Sequence, residues 1–322
     1  MKILFCATSF KDFGMDILFD GLCRVLGTEN ILEYPNKEFL HGKTRHRLAM
    51  YPDAFNYPTV KSDTEKMIML RNGEFDAVIF GCRPETEIAI SDKLTKEFYE
   101  TFRILKENNK GTPVYIIDHG DQQGINMRVW SELNAKLYFK REYMKDEDFG
   151  SDVVPITFSY SEKYIPATID TPRTNTLFWV GRDYPRMTIR TPYLSLLAKE
   201  TGINLSERME RPEYAERMLK HKIGLSLRGY GYDTSRYWEL PAFGVMLFSE
   251  KLKMRIPYDY TEGENAVFFE NPSEMMDKLK YYTEHESEVD RIRMNGNAWF
   301  HKYHTSVKRA EQVLEKIIEN RF

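Results

Sequence analysis

The residues best suited to ligand chemistry lie between positions 224 and 249, where an apolar run leads into a glycine-rich polar loop and then an amphipathic stretch. Gly229 and Gly231 let the backbone approach a ligand closely. Thr234 or Ser235 can cap the helix that follows, and the free N–H groups and dipole of its first turn favour a phosphate group. This order of strand, loop and helix predicts an anion site.

Two charged residues at the start of that helix suit a nucleoside diphosphate. Arg236 can make a bidentate contact to the diphosphate. Glu239 lies on the same helical face and can accept hydrogen bonds from a ribose diol. The structural alternative is that Ser235 only caps the helix and that Arg236 and Glu239 form a surface ion pair. The loop adds further candidate donor-binding residues: Arg228, Gly229, Tyr230 and Tyr232.

A second polar cluster, Asp118-His119-Gly120-Asp121, follows the apolar run 114–117. Open α/β sheets bind ligands at the carboxyl ends of their strands, which favours function here. His119 could remove a proton from an acceptor hydroxyl, with Asp118 or Asp121 orienting the ring and raising its basicity. The alternative is a turn that carries a surface histidine. We therefore predict catalytic roles for His119, Asp118 and Asp121.

The elements that must position these residues follow the pattern of parallel sheets crossed by helices, because short apolar runs alternate with longer amphipathic stretches. In the first half, strands are expected at 2–7, 30–34, 75–80, 113–118 and 135–139, and helices at 16–26, 64–71, 93–107 and 125–133. In the second half, strands are expected at 176–180, near 203, 223–227, 245–249 and 266–269, and helices at 191–201, 212–221, 235–243, 272–284, 286–304 and 307–319. Between residues 35 and 58 we expect a long loop with a helical turn.

A chain of 322 residues suits two such domains. The expected fold class is α/β, with two Rossmann-like domains facing a cleft. The segment 151–173 contains three prolines and little periodicity, so the boundary is placed near 165. The predicted domains are 1–165 on the acceptor side and 166–305 on the donor side, and 306–322 is a terminal helix that could pack back onto the first domain.

The charge, the apolar runs and the cysteines of the chain argue against several classes of protein. A net charge of −3 provides no global field to attract nucleic acid or anionic membranes. The apolar runs are far shorter than the roughly 18 residues of a membrane span. An odd number of cysteines without CxxC spacing argues against disulfides and zinc, and fits the reducing cytoplasm. The acidic run 146–148 contains a DxD pattern but is interpreted as solvated, so no metal site is predicted.

Beyond these patterns, residues 212–319 resemble the C-terminal domain of the GT-B glycosyltransferases, in particular the CgeB-like, group-1-like branch. The resemblance is carried by the runs PEYAERMLKHKIGLSLRG, SRYWELPAFGVMLFSE, ENAVFFENPSEMMDKLKYY and NGNAWFHKYHTSVKRAEQVL. It implies GT-B architecture and a nucleotide-diphosphate-sugar donor, used as a co-substrate without any further cofactor. The donor would bind mainly to the C-terminal domain and the acceptor mainly to the N-terminal domain.

Within this resemblance, Glu239 matches the glutamate of an E-x-x-A-x-G core, which is similar to the one that holds the donor ribose. Ser235 and Arg236 match the residues that precede the core. The related group-1 enzymes carry another glutamate eight residues earlier, where this chain has Gly231. This departure leaves the contact to the donor sugar open. The possible replacements are Tyr230, Tyr232 and Asp233.

Two further basic runs have a loose resemblance to family patterns. FWVGRDYPRM is placed like the first strand and loop of the donor domain, and the alternative is that its arginines are solvated. The phosphate candidates in this run and just after it are Gly181, Arg182, Arg186 and Arg190. FKRE, which contains Lys140 and Arg141, occurs in some CgeB-like sequences, although a solvated charge cluster explains it equally well.

The sequence thus predicts a glycosyltransferase that moves a sugar to an acceptor hydroxyl. A first alternative is a glycosyltransferase for modified DNA bases, suggested by the basic, aromatic loop 37–57 with Lys37, Lys43, Arg45 and Arg47. An alternative of another class is a non-catalytic sugar-nucleotide-binding or structural protein that kept the fold. The acceptor (a glycan, a small molecule or modified DNA), the stereochemical outcome and the oligomeric state stay open.

Overall fold

The computed structural model describes residues 1–42, 51, 53–83, 92–181, 189–205 and 209–320. Two parallel sheets dominate these ranges, one in each half of the chain. The inner strands are rich in Ile, Val, Leu and Phe and are buried on both faces, as expected of parallel sheets covered by helices, whereas the edge strand Thr174–Phe178 is partly exposed. The predicted α/β fold with two Rossmann-like domains is confirmed.

The N-terminal sheet has six parallel strands in the order β2-β1-β3-β4-β5-β6. The strands are β1 Ile3–Cys6, β2 Ile31–Tyr34, β3 Ala77–Cys82, β4 Val114–Asp118, β5 Leu137–Lys140 and β6 Val153–Pro155. The helices in this half are α1 Phe13–Leu26, α2 Asp63–Arg71, α3 Asp92–Asn108 and α4 Met127–Leu133. The strand order reverses beside β1, so the loops after β1, β3 and β4 meet at the edge where doubly wound sheets bind ligands.

The C-terminal sheet has four parallel strands in the order β10-β9-β8-β7. They are β7 Thr174–Phe178, β8 His221–Ser226, β9 Met246–Glu250 and β10 Val267–Phe269. The helices are α5 Thr191–Thr201, α6 Arg211–Met218, α7 Ser235–Ala242, α8 Pro272–Glu284, α9 Glu286–Tyr303 and α10 Ser306–Glu319. One face of this sheet packs under α5 and α8, and the other packs under α7 and α9.

Two secondary-structure expectations differ from the structure. No strand forms at 202–205, because Gly202 ends α5 in the left-handed conformation with φ of 70° and irregular backbone follows. Conversely, β6 lies inside the segment expected to be a connection. It has only three residues and contains Pro155. Proline lacks an N–H donor, and an edge strand tolerates it because one side of the strand has no neighbouring strand to bond. The helical turn expected in the loop 35–58 is a 3-10 turn at Glu38–Leu40.

The terminal helix α10 packs on α1, next to the N-terminal sheet. The Ser306 hydroxyl donates a hydrogen bond of 2.7 Å to the Asp20 carboxylate. Gly21 allows the close approach, because a Cβ atom at that position would lie 2.0 Å from the carbonyl oxygen of Ser306. After the second sheet the chain therefore returns to α1, next to the N-terminal sheet. The domain boundary near 165 stays a prediction. No helix within the described ranges is long and apolar enough to cross a membrane.

We expect Gly21→Ala to destabilise the protein, because the added methyl group collides with backbone that cannot move independently. Overpacking of this kind costs about 1–3 kcal/mol. Urea unfolding measures the loss, and Val25→Ala, a truncation of a partly exposed side chain in the same helix, serves as the control. Equal stability of the Gly21→Ala protein and the wild type would contradict this packing.

Candidate functional site

The loop after β8 leads directly into α7, as the sequence predicts. Thr234 occupies the N-cap position, but its side chain makes no capping hydrogen bond and lies 3.4 Å from the Ser226 hydroxyl. Ser235 is the first helical residue rather than the cap. The first turn of α7 thus lacks the usual side-chain cap, which suits an anion.

Arg236 reaches from α7 to the loop that follows β7. Its Nε donates to the Tyr214 hydroxyl at 3.3 Å, and a terminal nitrogen donates to the carbonyl of Val180. The guanidinium lies 4.6 Å from the centre of the Trp179 ring, a cation–π distance. These contacts place Gly181 beside the start of α7, so two of the predicted phosphate-binding segments meet.

Glu239 is 2% exposed and is not the partner of Arg236. Its carboxylate accepts hydrogen bonds from Arg211 at 2.9 Å, from the Tyr214 hydroxyl at 2.9 Å and from the Tyr160 hydroxyl at 3.3 Å. The surface ion pair considered above is therefore wrong. A buried carboxylate needs such donors, since burial without them is costly.

Tyr214 connects the two charged residues. It donates to Glu239 and accepts from Arg236. Burial, together with the charge of Glu239, raises the pKa of Tyr214 to about 12, so the hydroxyl stays protonated at neutral pH. Arg236, Tyr214 and Glu239 form one continuous polar chain across the start of α7.

The other predicted donor-binding residues form a separate group. Arg228 lies 3.4 Å from the Glu250 carboxylate and 4.6 Å from the centre of the Tyr232 ring, and these three side chains line an open cavity beside the loop. Tyr230 is 70% exposed. The backbone N–H of Gly229 donates to the carbonyl of Gly231 at 2.9 Å. The predicted phosphate ligands Arg182 and Arg186 lie outside the described residues.

His119 lies at the carboxyl end of β4, where the sequence places it, but it is almost completely buried. Its Nδ1 is buried and has no hydrogen-bond partner among the described residues, and the ring packs against Gly14. Burial lowers the pKa of His119 to about 3; the nearby Asp12 opposes this shift, and Arg141 adds to it. The histidine is therefore neutral at physiological pH.

Asp118 and Asp121 do not orient this ring, and that part of the prediction is wrong. Asp118 accepts hydrogen bonds from the Tyr138 hydroxyl at 2.6 Å and from Lys140 at 3.2 Å, and its side chain has no exposed surface. Asp118 therefore cannot touch a substrate in this conformation. Asp121 pairs with Arg141. Its side chain stays 45% exposed at the edge of the sheet.

A pair that sequence reasoning missed lies on the same edge. Asp12 caps α1 and lies 2.9 Å from Arg83, which follows β3. Although burial opposes ionisation, Arg83 lowers the pKa of Asp12 to about 2. The position of both residues just after neighbouring strands was the available signal. No sequence signal identified Tyr160, Arg211 or Tyr214 as partners of Glu239, because they come from separate segments.

Two Rossmann-like domains, each built on a parallel sheet, define the GT-B fold. Residues 175–315 match a family model described as glycosyl transferase-like. Similar solved structures include an α-glucosyltransferase in complex with UDP-glucose and DNA containing an abasic site, with 13% identity, 98% of each chain covered and a TM-score of 0.61. HepE from Anabaena in complex with UDP-glucose has 12% identity and a TM-score of 0.59, over 99% of this chain and all of that one.

A glycosyltransferase from Rickettsia africae has 10% identity and a TM-score of 0.61, over 99% of this chain and 98% of that chain. A search of curated protein sequences gave no significant match. At these identities the solved structures show the shared fold. The family model adds that the matched C-terminal part is glycosyl transferase-like.

We expect His119 to remain neutral from pH 5 to pH 8, because its buried site offers the imidazolium no hydrogen-bond partner at Nδ1. NMR of the ring nitrogens measures this directly, and His119→Gln identifies the signal. The folded pKa lies below the unfolded value of about 6.5. The contribution of His119 to stability is therefore complete above that pH and declines as the pH falls toward about 3. A titration midpoint between pH 6 and 7 would contradict the burial.

Proposed function

We propose that the protein transfers a sugar from a nucleotide-diphosphate-sugar donor to an acceptor hydroxyl, with the donor at the start of α7. The observation that carries the proposal is the polar chain of Arg236, Tyr214 and Glu239 at an N-terminus without a side-chain cap. The family match over residues 175–315 supports the same activity. So do the two similar structures whose descriptions name bound UDP-glucose.

In this proposal Arg236 exchanges the carbonyl of Val180 for a phosphate oxygen when the donor binds. A charge-assisted hydrogen bond to phosphate is stronger than one to a neutral carbonyl, so the exchange is favourable. Arg236 and the dipole of α7 then stabilise the negative charge that develops on the leaving diphosphate. In this proposal a ribose hydroxyl replaces one of the present hydrogen-bond donors to Glu239 when the donor binds, while Arg211 and Tyr214 orient the carboxylate.

On the acceptor side we propose that the substrate lies at the carboxyl edge of the N-terminal sheet. His119 and the ionised Asp12 belong to this edge. A neutral imidazole can take a proton from an acceptor hydroxyl, but its low pKa makes it a weak base. Proton removal would therefore have to occur late, when the sugar bond to the diphosphate is largely broken.

A DNA acceptor receives less support than the sequence suggests. Lys37 belongs to the basic loop that favoured it, but its ammonium group is buried against the Asp16 carboxylate. The other basic residues of that loop, Lys43, Arg45 and Arg47, lie outside the described residues. The acceptor stays open, as do the sugar, the CgeB-like branch, the cytoplasmic location and the predicted independence from metals.

Arg236→Ala is expected to weaken donor binding about 10- to 100-fold, because a hydrogen bond to a charged group contributes about 1.5–3 kcal/mol. The measurement is a thermal shift with UDP, UDP-glucose and other nucleoside diphosphates and their sugars, since a ligand at 100 times its Kd stabilises by about 2.7 kcal/mol. Arg103→Ala, which removes an exposed arginine paired with Glu107 on α3, is the matched control.

Stabilisation of Arg236→Ala equal to that of the wild type would place the donor elsewhere. A wild-type protein that no nucleoside diphosphate or nucleotide sugar stabilises would contradict the proposed function itself. Binding without release of nucleotide, across glycan, small-molecule and DNA acceptors, would instead favour the non-catalytic alternative.

A further inference from the structure

The loop between β8 and α7 is held by residues of the N-terminal half of the chain. Arg141 and Glu142 follow β5 directly and contact the backbone of residues 232 and 233. The sequence marks Arg141 only through the run FKRE, which occurs in some CgeB-like sequences or is a solvated charge cluster, and it assigns no role to Glu142, the last residue of that run. The structure shows both side chains buried at the junction of the two halves.

Glu142 binds the loop through both of its carboxylate oxygens. Oε2 accepts the N–H of Tyr232 at 2.8 Å, and Oε1 accepts the N–H of Asp233 at 2.9 Å. The side chain is only 1% exposed, and the residue adopts a left-handed backbone with φ of 55°. A non-glycine residue in that conformation is uncommon and costs free energy, so the contacts must compensate for it.

Arg141 completes the attachment. It donates to the carbonyl of Asp233 at 2.8 Å and lies 3.3 Å from Oε1 of Glu142. Asp233 in turn binds α7, because its carboxylate accepts a hydrogen bond of 2.7 Å from the indole N–H of Trp238. The backbone N–H of Phe158 donates to the same carboxylate at 2.6 Å. The first turn of α7 is thus fixed relative to β5.

Gly231 leaves open the space that the Glu142 carboxylate occupies. A Cβ atom at position 231 would lie 2.5 Å from Oε1 of Glu142, closer than any real Cβ contact. The backbone of Asp121 would be 3.3 Å away on another side. Glycine is therefore required here as long as the Glu142 carboxylate occupies this space, which gives a local physical reason for the absence of a side chain at position 231.

We propose that Glu142 is a positioning residue for the donor site, which sets the loop 231–233 and the start of α7 from the opposite domain. The donor part of this inference rests on the proposed function. The attachment of the loop is a property of the chain alone. Glu142 itself touches no substrate, because the loop and Arg141 cover it.

Burial of the Glu142 charge is partly offset by its contacts. Burial raises the pKa of Glu142 to about 7, while Arg141 and the two backbone N–H groups oppose the shift. The other charged groups nearby are Asp233, which disfavours ionisation of Glu142, and Asp121, which pairs with Arg141. The hydrogen bonds to the loop therefore offset part of the free-energy cost of placing this carboxylate in the interior.

The test compares Glu142→Gln and Gly231→Ala with the wild type. Hydrogen exchange should become at least about 10-fold faster at the amides of Tyr232 and Asp233 in both variants, because the acceptor is lost or displaced. The Kd for UDP should rise about 10-fold. Asp148→Asn, an exposed acid-to-amide change in the same segment, should leave both readouts unchanged.

Wild-type exchange rates at the amides of Tyr232 and Asp233, with wild-type affinity for UDP, in folded Glu142→Gln would overturn the inference. If Glu142→Gln does not fold, Gly231→Ala decides: faster exchange at 232 and 233 supports the attachment, and unchanged exchange with unchanged UDP affinity overturns it. A wild type that binds no nucleoside diphosphate would refute the proposed function, whereas the exchange rates would still report on the attachment. The two failures are therefore distinguishable.

Discussion

The buried carboxylate of Glu239 is the constraint on which the site in the C-terminal half depends. A charge at 2% exposure must be matched by donors, and here three residues from two segments provide them: Tyr160 from the connection between the sheets, and Arg211 and Tyr214 from α6. Because Tyr214 also accepts from Arg236, satisfying Glu239 fixes the position of the arginine. The same hydrogen bonds that make the carboxylate tolerable in the interior therefore organise the start of α7.

The junction of the two halves follows the same principle. Glu142 is buried and accepts two backbone N–H groups of the opposite half, and Gly231 leaves the room it needs. In the N-terminal sheet, the Asp118 carboxylate is buried and binds the Lys140 ammonium group and the Tyr138 hydroxyl. Several buried carboxylates thus bind strands and loops together. This is why a residue type that suggested chemistry in the sequence proved structural at Asp118.

Much of the fold could be predicted from the sequence. Apolar runs and amphipathic periods placed most strands and helices within a few residues of their observed bounds, because these patterns reflect burial that the local sequence already specifies. The exceptions were short. The three-residue strand at Val153–Pro155 carries too few residues for a period, and near Ile203 a brief apolar signal formed no strand. At both positions the local sequence pattern is too short to distinguish a strand from irregular backbone.

The sequence by itself determined the alternation of strands and helices, the glycine-rich loop before α7 and the presence of Ser235, Arg236 and Glu239 at its start. The tertiary structure decided their partners. In the folded chain Arg236 binds the carbonyl of Val180, and Glu239 accepts hydrogen bonds from Arg211, Tyr214 and Tyr160. His119 is buried, and Glu142 lies against Gly231. Periodicity is a short-range property, whereas the partner of a buried charge can lie 90 residues away along the chain, as Glu142 does from the N–H of Tyr232. Only the packing of the two halves sets those distances.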